Sequence, residues 1–489
     1  MSRRYALLLI TLFTTACMPK AALNTGAVGA EPGTDPITIL DHYSGPAFAE
    51  LLGVSVWGER VVFCSGVQGL NIYDAADPTD LRLLDRLSFG SGNQLFPRCQ
   101  HVVVDEAAEL LYVSNHGDQL QPEPFIAVVD ARKANNLREV AMHQYPESIE
   151  GLALWGDYLL AAAHGDGLLI FERGEQGALN KVGATKLENA WAVAVEGARA
   201  YIANGSSGIA VIGLEDPSAP ELLSSLKLPG AAKDLVLRDG RLYVALGAAG
   251  VAMLDIEDPN NPKLIEGYNT PGSAVALTLG SEALFVSDWN DLRAFDLSDR
   301  EHLKHMAHES IRTQRGKDSR SLGIAASGDL VFSANWTGLV AYKYDSKLSQ
   351  PDLEISPSPL VFGKLPADES TEATLFLKNT GSAPLEFDKF GGSEGISFSQ
   401  TPESLAPGES AYVNLFFKPK NTKPYKGRVL VSSNDPDTPQ LSLAVTANSI
   451  GRGVGDPAPN PKLVDLEGSP INLPDLQGKV VLLAYFATF

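Results

Sequence analysis

Ala192 to Leu228 reads AVAVEGARAYIANGSSGIAVIGLEDPSAPELLSSLKL, and Asp234 to Thr270 reads DLVLRDGRLYVALGAAGVAMLDIEDPNNPKLIEGYNT. Each stretch holds a short apolar run, a Gly or Asp turn and a second run such as Leu242-Tyr243-Val244-Ala245. A third run led by glycine follows (Gly250 to Asp255), then Asp-Pro, then a fourth run. The third run recurs at Gly69, Ile126, Gly167, Gly208, Gly250, Leu292 and Gly338, spaced by roughly 41 to 57 residues. Four short strands repeated at a period near 40 to 45 residues signify propeller blades. Seven such units between Leu51 and Asp345 predict a seven-bladed ring over residues 36–346.

The ring is expected to close on itself. Ile37 to Tyr43 aligns with the fourth strand of a unit (compare Leu264 to Tyr268), with no first three strands before it. The last unit ends at its third strand, Val340 to Tyr344. Placing the N-terminal strand on the outside of blade 7 hydrogen-bonds two otherwise bare edges; an unrelated N-terminal strand is the alternative. The glycine-led third strand and its Asp-Pro exit, as in Asp258-Pro259-Asn260-Asn261-Pro262, resemble the LVIVD-repeat propellers of bacterial surface proteins. Blades 2, 3 and 6 lack the Asp-Pro, and blade 2 carries an insertion at Gln119 to Pro124. In these turns Asp accepts from the backbone two residues on and Pro presets the next φ, so the residues shape blades and are no binding signature. WD-type propellers share the period, but Trp-Asp strand ends and Gly-His pairs are absent from the sequence.

Arg3 and Arg4, the apolar run Tyr5 to Phe13, and Thr14-Thr15-Ala16-Cys17 have the order of an export signal, too short to span a bilayer. Cys17 after a small residue resembles the lipobox of bacterial lipoproteins, although Thr14 stands where leucine is usual. That resemblance implies a signal peptide over 1–17, lipidation at Cys17, and a membrane anchor in the cell envelope. Met18 rather than Asp after the cysteine implies the outer membrane. Residues 18–35, rich in Ala, Gly and Pro, read as a flexible tether. A net charge of −20, from 39 basic and 59 acidic residues, argues against nucleic acid and against anionic headgroups. Cys64 and Cys99 are the other two cysteines. Buried thiols are their expected state; a disulfide is the alternative that an oxidising compartment permits.

From Gln350 the composition changes. Alternating runs at Leu353 to Ser356, Thr374 to Asn379, Leu385 to Phe390, Ala411 to Lys418, Gly427 to Ser433 and Leu441 to Thr446 suit an immunoglobulin-like sandwich over 351–449. Leu377 to Gly381 and Ser433 to Pro436 are similar to Hydin-type (ASH) Ig-like domains, which implies a protein-contact or spacer module. Residues 454–489, with Val454 to Pro459 and Gly478 to Phe489, resemble the opening of a thioredoxin-like (redoxin) domain. In that family the next segment carries the reactive cysteine at a helix N-terminus, where its thiol pKa is lowered. The sequence ends before that position, so a fragment of a longer reading frame is expected, with a genuine truncation as the alternative. Val480 to Phe486 is apolar throughout, as in a strand buried on both faces.

Loops joining second to third strands and fourth to first strands open on one face of such a propeller. The former carry His116-Gly117-Asp118, His164-Gly165-Asp166, Asn204-Gly205, Asp288-Trp289-Asn290-Asp291 and Asn335-Trp336; the latter carry Arg98, Glu147, Glu150, Lys233, Arg315, Lys317 and Arg320. Candidate binding residues on this face are His116, Asp118, His164, Asp166, Asp288, Trp289, Asn335 and Trp336. The His-Gly-Asp pairs can seat a metal, but tight hairpins that need Gly and Asp explain the same letters, and no metal or other cofactor is assigned. The tryptophans can stack on a saccharide or peptide, or pack between blades. No His-Glu-x-x-His, phosphate loop or EF-hand loop is present, and no catalytic residue is nominated. The expected function is a membrane-anchored binding or scaffold protein with protein or saccharide ligands. The rival is a thiol–disulfide oxidoreductase or peroxidase whose catalytic domain lies beyond these residues.

Overall fold

The computed structural model describes residues 36–44, 51–65, 69–89, 99–115, 124–310, 320–336, 338–436, 438–448, 463–464 and 470–471. The chain is all-β: a seven-bladed propeller followed by an Ig-like sandwich. Six four-stranded sheets are built from consecutive strands, running from Leu51–Trp57 through to Lys304–Ser310. The seventh joins Ser321–Ser327, Leu330–Asn335 and Gly338–Tyr344 to the N-terminal strand Ile37–Ser44. That strand runs antiparallel to Gly338–Tyr344, from Ile37 opposite Tyr344 to Ser44 opposite Gly338. Closure by the N-terminal strand is therefore as the sequence implied, and Ile37 is 1% exposed.

The blades cohere through seams rather than through one central core. Seven apolar clusters each straddle two neighbouring blades. The seam that shuts the ring packs Val61, Phe63 and Tyr73 of blade 1 on Phe332, Leu339 and Ala341 of blade 7. Period-2 alternation explains it, because successive side chains of a middle strand point to opposite faces, and each face meets a different blade. Backbone contacts between blades add to the seams: the Asp41 carboxylate accepts from the Leu81 N–H at 3.0 Å, and that of Asp85 from the Leu137 N–H at 2.6 Å.

The glycine that leads the third strand has a steric reason. Gly250 sits at φ +79°, and a Cβ there would lie 2.1 Å from the carbonyl oxygen of Tyr268 in the outer strand. The Asp-Pro turns work as expected: Asp258 accepts from the Asn260 N–H at 3.0 Å, and the Asn261 N–H closes the turn on the Asp258 carbonyl. Blade 6 keeps the device without proline, Asp299 accepting from the Glu301 N–H at 2.8 Å. The expectation of two buried thiols is corrected. Cys64 and Cys99 form a disulfide between blades 1 and 2, with Cα atoms 5.0 Å apart. Both residues are fully buried in the same seam, which brings the sulfurs together.

In the Ig-like domain one sheet holds Leu353–Ser356, Thr371–Asn379, Ser410–Phe417 and Ile396–Phe398. The other holds Leu360–Val361, Gln440–Ala447, Tyr425–Ser433, Leu385–Gly392 and Ser404–Leu405. Leu375, Leu377, Val413 and Leu415 share one core with Val429, Val431 and Val445. The domain docks on the outer strand of blade 6 and reaches the end of the outer strand of blade 5. His308 pairs with Asp352 at 3.1 Å, the His305 ring meets the Thr380 carbonyl, and the Lys378 ammonium stands 5.1 Å from the Tyr268 ring centre. Behind them Arg293, 4% exposed, donates from Nε to Asp288 at 2.8 Å and from Nη2 to Asp291 at 2.9 Å. Burial pushes His305 down to about 3. Burial works against the charge of His308 as well, but Asp352 overrides it and raises the imidazole to about 9.

Of the expected thioredoxin-like segment, Leu463–Val464 and Pro470–Ile471 are described, as a two-stranded antiparallel pair. The signal peptide, Cys17, the tether and the rest of 454–489 lie outside the described residues. No helix among the described residues is long and apolar enough to cross a membrane.

Candidate functional site: the upper mouth of the propeller channel

The innermost strands of all seven blades line a central cavity of about 800 Å³, with Val54, Val103, Leu152, Val193, Leu235, Leu277 and Ile324 each contributing from a different blade. Its upper rim is set by one structural position repeated round the ring, the residue just before each inner strand. That position holds Gln100, Trp191, Lys233, Ser273 and Arg320 in blades 2, 4, 5, 6 and 7, and Glu150 lies two residues before the inner strand of blade 3. The N–H groups of Gln100, Trp191 and Lys233 donate to the carbonyls of Ser114, Ala203 and Ala245. Those bonds fix the backbone at the lip, and their side chains line the cavity.

One side of the mouth is a hydrogen-bonded cluster from blades 3 to 5. His164 ends a tight hairpin at φ +40°. Its Nε2 contacts Glu150 Oε1 at 2.8 Å, its Nδ1 contacts Asn189 Oδ1 at 2.6 Å, and its ring packs edge-on against Trp191 at 5.0 Å. Glu150 raises the imidazole pKa by hydrogen bonding, against the effect of burial. Lys233 lays its ammonium 3.7 Å from the Trp191 ring centre, an attraction between a cation and the negative face of the indole. Burial lowers the pKa of Lys233, with Glu150 opposing. Burial likewise lifts Asp234 to about 6, although its carboxylate accepts from the N–H groups of Leu277 at 2.7 Å and Leu235 at 2.8 Å. His101 is lowered to about 4 by burial, and its Nδ1 accepts from the Leu152 N–H, so the ring is neutral near pH 7.

Blades 6 and 7 supply a second cluster. The Arg320 guanidinium lies 4.9 Å from the Trp289 ring centre and 5.5 Å from that of Trp336. Trp289 also lines the cavity and takes a left-handed φ of +62°. The Ser321 N–H donates to the Trp289 carbonyl at 2.7 Å, and the Trp336 N–H to the Arg320 carbonyl at 2.8 Å. These bonds tie the two hairpins to the lip of blade 7.

The candidate residues from sequence divide accordingly. His164, Trp289 and Trp336 stand at the mouth. Asp288 does not: it is fully buried, and its carboxylate accepts from Thr270 Oγ1, the Gly272 N–H and Arg293 Nε, so it pins blade 6 from within. Asn335 is corrected in the same way, being 1% exposed and accepting from Ser333 Oγ at 2.8 Å. Asp166 closes the blade-3 hairpin through its N–H to the Ala163 carbonyl, and the His164 ring nitrogens are taken by Glu150 and Asn189 instead. Among the described residues no group of three or more His, Cys, Asp or Glu side chains is placed to hold a metal. His116, Asp118, Arg98, Arg315 and Lys317 lie outside the described residues. Sequence reasoning missed Trp191, Gln100, Ser273 and Asn189. The signal that finds three of them is positional, because aligning the seven units puts Gln100, Trp191 and Ser273 in one column with Lys233 and Arg320.

Comparison with known proteins agrees with these two architectures. Residues 188–227 and 229–270, blades 4 and 5, each match the LVIVD repeat. Residues 351–448 match a family described as a HYDIN/CFA65/VesB-like Ig-like domain. No curated protein matches the chain. Among solved structures it is similar to the crystal structure of the WD40 beta propeller domain of Doa1, at 11% identity and a TM-score of 0.48, covering 64% of this chain and 98% of that one.

Proposed function

We propose that the protein is a lipid-anchored binding or scaffold protein of the bacterial cell envelope, presenting the upper mouth of its propeller to a protein or small ligand. The observation that carries the binding role is convergence at the mouth. Loops from blades 3 to 7 bring three tryptophans, two cations and a Glu–His pair to the rim of one cavity, which Glu150, Trp191, Lys233 and Trp289 of that set line. Concave sites of this size with apolar walls and a few placed polar groups are the usual form of a ligand site. Outer-membrane anchoring rests on the signal-like order that ends at Cys17. Cys17→Ala moves the protein from the detergent phase to the aqueous phase in a partition assay; unchanged partitioning removes the anchor from the proposal.

The binding role is tested by photocrosslinking in cells. A photoreactive residue at position 336 gives specific adducts that Trp191→Ala abolishes, while the same residue at 196, the strand end beside the turn on the opposite face, gives none. Equal adducts from both faces, or none from either, would overturn it. The oxidoreductase reading rests on the sequence of 454–489 alone. Cys64 and Cys99 are consumed in one disulfide, which leaves the propeller no thiolate to attack a substrate.

A further inference from the structure

The charge inventory of the cavity narrows what enters it. Among the described lining residues three are charged at neutral pH: Glu150, Lys233 and Asp234. The two carboxylates already have partners, Glu150 in His164 and Asp234 in the Leu235 and Leu277 N–H groups. Lys233 does not. Its close contact among the described residues is the face of Trp191, and Glu150 acts on it only through space. The indole that carries this ammonium has its own unmet need, because Trp191 Nε1 is buried with no hydrogen-bond partner among the described residues. An ammonium and an indole N–H are donors only. A buried donor left without an acceptor is destabilising, and one acceptor-rich group satisfies both.

Below these donors the wall is aliphatic, from Val193, Leu235 and Leu277 to Val103 and Leu279. Water gains little against such a surface, and an apolar chain that displaces it is stabilised by about 25 cal/mol per Å² buried. The net charge of −20 opposes an anion at long range. At physiological ionic strength that repulsion is screened beyond about 8 Å, whereas contact with Lys233 is direct.

We infer that the upper mouth recognises a single-chain amphiphile with an oxyanion head, the head set between the Lys233 ammonium and the Trp191 N–H and the apolar chain lying along the inner strands. This rests on the proposal that the upper mouth is the binding face, and it names the ligand class for that face. A carboxylate and a phosphate monoester share the chemistry, and the experiment separates them.

The full chain is titrated calorimetrically with decanoate, decyl phosphate, decanol and decyltrimethylammonium, each below its micellar concentration. At least one of the two anions binds roughly tenfold or more tighter than decanol, as a charge-assisted head contact requires. The tighter of the two identifies the head as carboxylate or phosphate. Lys233→Met, which keeps the stem over the indole, lowers anion affinity to that of decanol. Trp191→Phe lowers it in part, and both variants leave the melting temperature unchanged. Equal affinity for anion and alcohol in the parent protein, tighter binding of the cation, or no binding of any probe would each overturn the inference. If no probe binds while the position-336 adducts persist, the ligand class is wrong and the binding face stands. Loss of the adducts together with anion binding that Lys233→Met abolishes supports the amphiphile site and removes the macromolecular partner.

Discussion

Blades 5 and 6 are neighbours with the same four strands and the same outer-strand bulge, yet their outer edges serve opposite ends. In blade 5 the register sets Leu254 opposite Leu264 and Ala252 opposite Gly267; in blade 6 the equivalent pairs are Phe295 with His305 and Arg293 with His308. Small and apolar residues have been exchanged for three that ionise. Leu264 is 42% exposed on the rim, whereas His305 is 5% exposed beneath Thr380 of the Ig-like domain. The repeat unit that follows its consensus leaves Leu264 to solvent and meets the second domain only at Tyr268, the last residue of its outer strand, whereas the unit that departs from it supplies the buried ionic contacts. The physical reason is specificity. An exposed leucine gains from burial against any apolar surface, while a buried His308–Asp352 pair is tolerable only with its own partner in place.

Blade 7 extends the comparison and gives the largest expected effect. Its outer edge is filled by a strand from the opposite end of the chain. Deleting Pro36 to Tyr43 bares the ladder of Gly338–Tyr344 and removes the fully buried Ile37 from the seam with blade 6. Loss of that side chain alone is expected to cost about 2–5 kcal/mol, and the open edge favours aggregation. Thermal melting should show a transition at least 10 °C lower, on the order of what such a loss gives. A truncated protein that melts like its parent would show that the strand does not close the ring.

The docking edge of blade 6 comes next. His308→Ala leaves Asp352 buried without its cation, and removing one partner of a buried pair typically costs about 3–5 kcal/mol. The pH dependence follows from the raised imidazole. Asp352 holds the folded His308 imidazole up to about 9, against about 6.5 for an unperturbed imidazole, so its contribution is fully present below about pH 6.5 and is lost as pH rises through about 9. Differential scanning calorimetry between pH 6.5 and 9.5 should show the Ig-like domain losing its stabilisation by the propeller, and His308→Ala should flatten that dependence. A His308→Ala protein with the parent's pH profile would mean that the contact does not hold the domains together.

The smallest effect belongs to the exposed part of the blade 5 edge. Leu264→Lys in blade 5 changes the residue equivalent to His305. Surface changes away from special features fall within about 0.5 kcal/mol, and chemical denaturation should give a midpoint indistinguishable from the parent's. A loss above about 1 kcal/mol would show that Leu264 is covered too, and the contrast between the two blades would fail.

The blade count, the strand order and the closing strand were legible because each rests on local pattern. Alternation marks strands, Gly250 answers a carbonyl that comes too close for a Cβ, and Asp258 folds its own turn. The candidate site was legible only in part. His-Gly-Asp and Asp-Trp-Asn draw the eye as motifs, but Asp288 proves to be an internal anchor for Arg293. Trp191 and Gln100 sit in unremarkable contexts and reach the mouth only because the ring brings equivalent positions together. The disulfide escaped the expectation of free thiols for the same reason, since residues 64 and 99 meet across a seam between blades.

By itself, then, the sequence determined which segments become strands, how many blades they make, where the turns fall and that a sandwich follows the propeller. Those properties depend on side-chain periodicity and backbone sterics within a few residues. Tertiary structure alone decided which charges are satisfied. Glu150 finds a partner on a hairpin of its own blade and Asp234 one on the next blade, Lys233 is left with an indole, and His308 becomes a docking cation through Asp352. Such pairings join residues up to 44 positions apart in the chain, and burial, which sets their strength, exists only once the blades have packed.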